Sequence, residues 1–382
     1  MKKKIGILTW HYYPNFGSAL QAFALQKVIS GMGHDVRIVD YENPKYGKAT
    51  LKQRIKKEIL RLMPFTPHLL HGPLAFRTKY MRETRLVQDD AGVARLCKGF
   101  DFIVYGSDQI WAPNVFNPIY MGAHTGERQK KVSYAASIGL DYIPDALVPQ
   151  YKDYLSRFSS ISVREKKAKE LLRQVCGLSS EIVLDPTLLI ECNVYDGMAK
   201  PVSQLSTLRS AQRDACGARR SKNSQLSTGR LQSSYVFCYF LNANHSYKNQ
   251  VSQFAQRKNC KIVGVSANSN DQEWMQLCQD LGSDEFLWLV KNALTVFTDS
   301  YHGTIFSLLF HKNFWVFPRF HSDDPICQNS RIEQLNDYFD IAGHIVKGEE
   351  EVADDRFDYS GFENRLNELR MASLSFLKKS LE

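Results

Sequence analysis

The chain has 382 residues, 43% hydrophobic and 12% aromatic, with a formal net charge of +9. Such a length holds about two or three domains with cores of their own. No apolar run reaches the roughly 20 residues of a membrane helix, and Met1-Lys-Lys-Lys runs too soon into polar residues for a signal peptide, so a cytoplasmic location is expected. The charge does not point to nucleic acid: Lys200, Arg209, Arg213, Arg219, Arg220, Lys222 and Arg230 cluster against Asp214 alone, the remainder is close to balanced, and the aromatics sit in apolar runs. Eight cysteines without a C-x-x-C pair suggest neither a zinc site nor a disulfide framework and read as reduced thiols.

In chain order, Lys4-Ile-Gly-Ile-Leu-Thr is a short buried strand, His11 to Gly17 a loop, and Ser18 to Ser30 a helix, followed by a strand from Val36 to Tyr41. This is the opening βαβ unit of a doubly wound sheet. The turn Asn15-Phe16-Gly17-Ser18 is a possible anion seat but not a G-x-G-x-x-G fingerprint, so no dinucleotide is expected. Residues 51–63 form a basic amphipathic helix whose first reading is a surface helix; the second is peripheral contact with an anionic membrane.

Further strands are expected at 100–105, 131–136, 160–164 and 181–185, each ending in small or polar residues, so that four strand ends share one ligand edge. The alternation resumes at 235–241, 261–265, 294–299 and 314–317 as a second α/β unit, and a helix is expected from about Gly361 to Leu381. The fold class is thus α/β with two doubly wound domains, 1–197 and 235–350. Residues 198–234, rich in Ser, Gln and Arg, form a linker or insertion, and 351–382 a C-terminal helix free to pack back on the first domain.

The most informative stretch is Thr295 to Phe310: a β-branched run, an Asp-Ser pair suited to capping, then His302 and Gly303 opening an apolar helix. A helix N-terminus favours an anion, and an imidazole beside it can move a proton near neutral pH. Asp108 and Asp299 are candidates to accept protons or orient His302, or else they cap the helices after their strands. Asp185 before Pro186 reads as a turn residue, and His11 is a weaker candidate at the first strand edge. No His/Asp/Glu cluster has metal spacing, so neither a metal nor a cofactor is expected.

Seven segments in order, NFGSALQAFALQ at 15–26, DFIVYGSDQIW at 101–111, KVSYAASIG at 131–139, SVRE at 162–165, VLDPTLL at 183–189, FTDSYHGTIFSLLF at 297–310 and NSRIEQL at 329–335, give a chain that resembles the polysaccharide pyruvyl transferase family. The resemblance implies a fold like that of B-type glycosyltransferases, with ligands in a cleft between two α/β domains. It implies transfer of a pyruvyl (carboxyethylidene) group from phosphoenolpyruvate to two hydroxyls of a sugar, forming a cyclic ketal. The donor's carboxylate and phosphate call for bidentate arginines. The candidates are Arg164, whose structural alternative is a salt bridge with Glu165, and Arg331, in a polar loop of the second domain. Together these two would close on the donor from both sides. Ser300, Gly303 and Thr304 join the donor set, and Asn15, Gly17, Ser18, Ser107 and Gln109 are candidates for the acceptor, a sugar or lipid-linked oligosaccharide. Two other readings stay open: a nucleotide-sugar-dependent glycosyltransferase of the same fold, and a catalytically silent glycan-binding protein.

Overall fold

The computed structural model describes residues 1–12, 15–43, 72–126, 128–205, 235–266, 268–320, 324, 327–348 and 352–382. The basic stretch 51–63 and residues 206–234 lie outside these. The chain divides into two units, Met1–Cys192 with Pro318–Ile345 and Asp358–Glu382, and Asn193–Phe317 with Val346–Phe357.

In the first unit, β1 (Lys4–Leu8), β2 (Asp35–Ile38), β3 (Phe102–Tyr105) and β4 (Lys130–Ser133) pair in the order β2-β1-β3-β4, all parallel. Two further strands, β5 (Ser162–Val163) and β6 (Glu181–Ile182), pair in parallel, and single bridges at Val132–Ser160 and Ala136–Val163 carry β4 on to β5. The β3 segment, Phe-Ile-Val-Tyr, is buried throughout, as a strand covered on both faces of a parallel sheet must be. Because every pair is parallel, the residues after β1, β3, β4, β5 and β6 come out on one edge. Gly106 makes part of that edge. Its φ is +117°, and a Cβ there would lie 2.2 Å from the Tyr134 carbonyl oxygen. Gly106→Ala is expected to destabilise the protein by more than about 1 kcal/mol in urea unfolding, since neither the backbone angle nor the neighbouring carbonyl can yield cheaply.

The second unit holds β7 (Tyr235–Tyr239), β8 (Lys261–Val265), β9 (Gln276–Leu277), β10 (Thr295–Thr298) and β11 (Asn313–Val316), all parallel in the order β11-β10-β7-β8-β9. Its core includes Val236, Cys238, Phe254, Phe297 and Phe317.

The chain expected to finish the second domain at 350 instead returns to the first unit at Pro318. The reason is the helix Ser330–Phe339: Leu335 is fully buried, the Gln334 Oε1 accepts a bond of 2.8 Å from the Lys166 amide, and the Phe339 ring lies 4.9 Å from that of Phe362. The C-terminal helix Phe362–Ser380 also belongs to the first unit. Ser373 Oγ accepts from the Leu184 amide at 3.0 Å, and the Arg370 Nε donates to the Leu188 carbonyl at 2.9 Å.

Candidate active site

The carboxyl edge of the first sheet is built on an amide knot. Gln21, fully buried on the helix Phe16–Gly31, donates to Thr9 Oγ1 (2.9 Å) and accepts from the Ser107 amide (3.1 Å), while Thr9 Oγ1 donates to the Ser107 carbonyl (2.8 Å). This fixes the Ser107–Asp108 turn between β1 and β3. Asp108, at a positive φ of 72°, accepts from Ser18 Oγ at 2.5 Å and from the Gln109 amide at 2.9 Å. It therefore holds the start of the first helix against the turn and caps no helix of its own, contrary to the capping alternative.

Arg164 leaves the end of β5 and is 1% exposed. Its Nη1 donates to Asp185 Oδ2 at 2.7 Å, and Asp108 Oδ1 and Glu165 Oε2 each lie 4.0 Å from its nitrogens. The expected alternative partner, Glu165, is thus the more distant one, and Asp185 is more than a turn residue. Asp185 caps the short helix Pro186–Leu188, accepting from the Thr187 amide (2.9 Å) and hydroxyl (2.6 Å), and offers its second oxygen to Arg164.

Arg331 was expected in a polar loop of the second domain. It lies instead on the helix Ser330–Phe339 of the first unit, 8% exposed, so the two arginines do not come from opposite domains. Its guanidinium is held down to about 9, first by burial and then by the positive charges of Arg164 and Arg319, with Glu165 and Asp108 acting in the other direction. Arg331 donates to Gln328 Oε1 at 2.8 Å, and the same oxygen accepts from Gln109 Nε2 at 3.0 Å. The positive charges of Arg164 and Arg319 act on Arg331, an arrangement that an anion would relieve. Replacing Arg331 by Gln is accordingly expected to raise the melting temperature of the ligand-free protein and to reduce its stabilisation by sulfate, as a sulfate titration by thermal shift would show.

The remaining acceptor candidates carry internal duties. Asn15 caps the first helix, its Oδ1 accepting from the Gly17 and Ser18 amides at 2.9 and 3.4 Å. Ser107 Oγ is fully buried and faces the Ala135 carbonyl at 2.8 Å and Asp185 at 3.3 Å. Gln109, like Asn15, is half-buried.

In the second unit, His302 occupies the first turn of the helix Tyr301–Leu309, 6% exposed. The cap is Ser300, whose Oγ accepts from the Gly303 amide at 3.4 Å. Thr304 Oγ1 donates back to the Ser300 carbonyl at 3.1 Å, and Gly303 has to lack a side chain because a Cβ would lie 2.3 Å from Thr298 Oγ1. Asp299 neither caps nor orients by these bonds: its two carboxylate oxygens accept from the Leu241 and Asn242 amides, each at 2.8 Å, tying the end of β10 to the loop after β7. Asp299→Asn would present an NH2 to one of those amides and is expected to destabilise by about 1–3 kcal/mol in chemical denaturation.

His11 is fully buried with its Nε2 at 3.2 Å from Asp40 and 3.7 Å from Glu83. His11, Asp40 and Glu83 bring three metal-type ligand atoms within 4.8 Å of one another, a grouping that sequence spacing did not reveal because folding assembles it from three distant segments. The Arg77 guanidinium is bonded to the same carboxylates, at 2.8 Å to Asp40 and 2.7 Å to Glu83; burial pulls its pKa down, but the charges of Glu83 and Asp40 outweigh it and raise the pKa overall. A cation is therefore already seated there, and the group is a charge knot that ties β1 and β2 to the helix Gly72–Tyr80.

Asp185, Glu165, Gln328 and Arg319 were missed as members of the site. Asp185 and Glu165 lie within the segments VLDPTLL and SVRE, whose motif positions were the available signal; Gln328 and Arg319 gave none.

A family model for polysaccharide pyruvyl transferase matches residues 15–321. The chain belongs to that family, which places it among transferases of polysaccharide biosynthesis. No match was found among curated proteins. Among solved structures it is similar to the UDP-GlcNAc 2-epimerase from Neisseria meningitidis bound to UDP-GlcNAc, with 9% identity, a TM-score of 0.54, and 100% of this chain and 99% of that chain covered. It is also similar to UDP-N-acetylglucosamine 2-epimerase from Rickettsia bellii, with 11% identity, a TM-score of 0.53, and 99% and 96% covered. At these identities the likeness shows the fold alone, two parallel α/β units. Among the described residues no helix is long and apolar enough to cross a membrane.

Proposed function

We propose that the protein transfers a pyruvyl group from phosphoenolpyruvate to two hydroxyls of a sugar in a surface-polysaccharide precursor, forming a cyclic ketal. The observation that carries this reading is the buried arginine cluster of the first unit. Arg164 and Arg331 are nearly inaccessible, and Arg331 is depressed by burial and by Arg164 and Arg319. A compact donor with a carboxylate and a phosphate suits such a cluster, because guanidinium forks pair with both groups.

The chemistry is an addition followed by a displacement. A proton adds to the methylene carbon of the donor, which becomes a methyl group, and positive charge develops at the carbon bearing the phosphate. One sugar hydroxyl oxygen bonds to that carbon and loses its proton. Phosphate then leaves with its C–O electron pair, and the second hydroxyl closes the ring as its proton passes to a base. His302, an imidazole at a helix N-terminus, is the proposed proton donor. Asp108 is the proposed acceptor of a hydroxyl proton, and it requires release from Ser18 to serve. No cofactor is required by these steps. The acceptor, free or lipid-linked, is to be found by screening.

A thermal-shift titration with phosphoenolpyruvate tests the reading. A dose-dependent rise supports it, and a rise with UDP-GlcNAc but not with phosphoenolpyruvate would favour a nucleotide-sugar transferase.

A further inference from the structure

Glu165 has a role that the reaction steps above do not use. It stands just before the helix Lys166–Cys176, where a carboxylate ordinarily caps its own helix, yet it makes no such bond. Its side chain instead reaches the turn after β4. There Oε1 accepts from Ser137 Oγ (2.9 Å), the Ile138 amide (2.9 Å) and the Gly139 amide (3.1 Å). Three donors on one oxygen fix the carboxylate in place. The other oxygen, Oε2, is buried, makes no hydrogen bond among the described residues, and lies 4.0 Å from Arg164 Nε. The spacing suits charge compensation rather than a fork.

We propose that Glu165 is a positioning residue and, beside the closer Asp185, a second built-in counter-ion of the arginine cluster, compensating Arg164 and Arg331 until an anionic ligand takes over that duty. The inference rests on the reading of the cluster as an anion site. Its support is geometric: one oxygen anchored by three donors, the other unbonded and turned toward a buried guanidinium. The charge on Glu165 also favours ionisation of Arg331, whose charged neighbours are Arg164, Arg319, Glu165 and Asp108. Gly139, which donates to Glu165, is packed so closely on Gln109 that a Cβ would lie 2.1 Å from its Nε2, and Gln109 meets Arg331 through Gln328. The carboxylate thus fixes the turn that borders the arginine set as well as neutralising it.

A counter-ion competes with the ligand it stands in for, and that gives the test its sign. Glu165→Gln keeps an acceptor oxygen for the turn and removes the charge. The melting temperature of the ligand-free variant is expected to fall, while its affinity for sulfate, read from thermal-shift and calorimetric titrations, rises several-fold. Ser137→Ala removes one of the three anchoring bonds without changing the charge and should lower stability with sulfate affinity unaltered. If Glu165→Gln binds sulfate as the wild type does or more weakly, the counter-ion role is overturned and Glu165 is only a turn anchor. If the wild type is not stabilised by sulfate at all, the anion-site reading falls with it, which separates the two failures.

Discussion

Arg164→Lys is expected to leave the protein folded and to weaken phosphoenolpyruvate binding by about 1.5–3 kcal/mol, the loss of one or two charge-assisted hydrogen bonds. A lysine keeps the positive charge beside Asp185 but cannot present two parallel N–H groups to a carboxylate or phosphate. Arg164→Ala should do more. It takes from Asp185 the guanidinium 2.7 Å from its Oδ2, and breaking a buried pair in this way costs about 3–5 kcal/mol of stability. Calorimetric titration with the lysine variant separates the two effects. Lost affinity at an almost unchanged melting temperature assigns Arg164 to the donor, whereas unchanged affinity assigns it to the Asp185 pair alone.

The second large effect is expected at His302. Removing a general acid lowers the rate by about 10²–10⁴-fold, and donor binding should suffer far less because the arginines are retained. The measurement is the exchange of the donor's methylene protons in heavy water, followed by proton NMR, together with donor affinity. His302→Gln should abolish exchange and leave most of the affinity. Exchange at the wild-type rate would remove His302 from the chemistry. The setting makes the variant tractable: the helix is capped by Ser300 and its apolar residues, among them Ile305, Phe306 and Leu308, are buried independently of the imidazole.

Much of the fold was legible because short buried strands alternating with helices have a distinct pattern, and parallel pairing follows from it. The Tyr235–Tyr239 and Thr295–Thr298 strands were read nearly to their ends. Two of the expected five-residue strands, at 160–164 and 181–185, shrink to Ser162–Val163 and Glu181–Ile182, and the buried Arg164 and Asp185 beyond their ends pair with each other. The place of His302 at the start of a capped helix was legible from local chemistry alone. The destination of Pro318–Ile345 was not, because local periodicity says nothing about which core a helix joins. It took the Lys166–Gln334 bond and the Phe339–Phe362 contact to reveal it. The same limit explains Asp299. A helix-start motif predicts a cap but cannot foresee that two amides from Leu241 and Asn242 claim its carboxylate. The roles of Asp185 and Glu165 were hidden likewise, since each meets its partners across strands that only the sheet register aligns.

The measurement that bears most directly on the proposed activity is calorimetric titration of the wild-type protein with phosphoenolpyruvate and, separately, with UDP-GlcNAc. Saturable binding of phosphoenolpyruvate that Arg164→Lys weakens, with no heat from UDP-GlcNAc, is the expected result. Binding of UDP-GlcNAc with none of phosphoenolpyruvate would contradict pyruvyl transfer and turn the search toward a sugar-nucleotide donor.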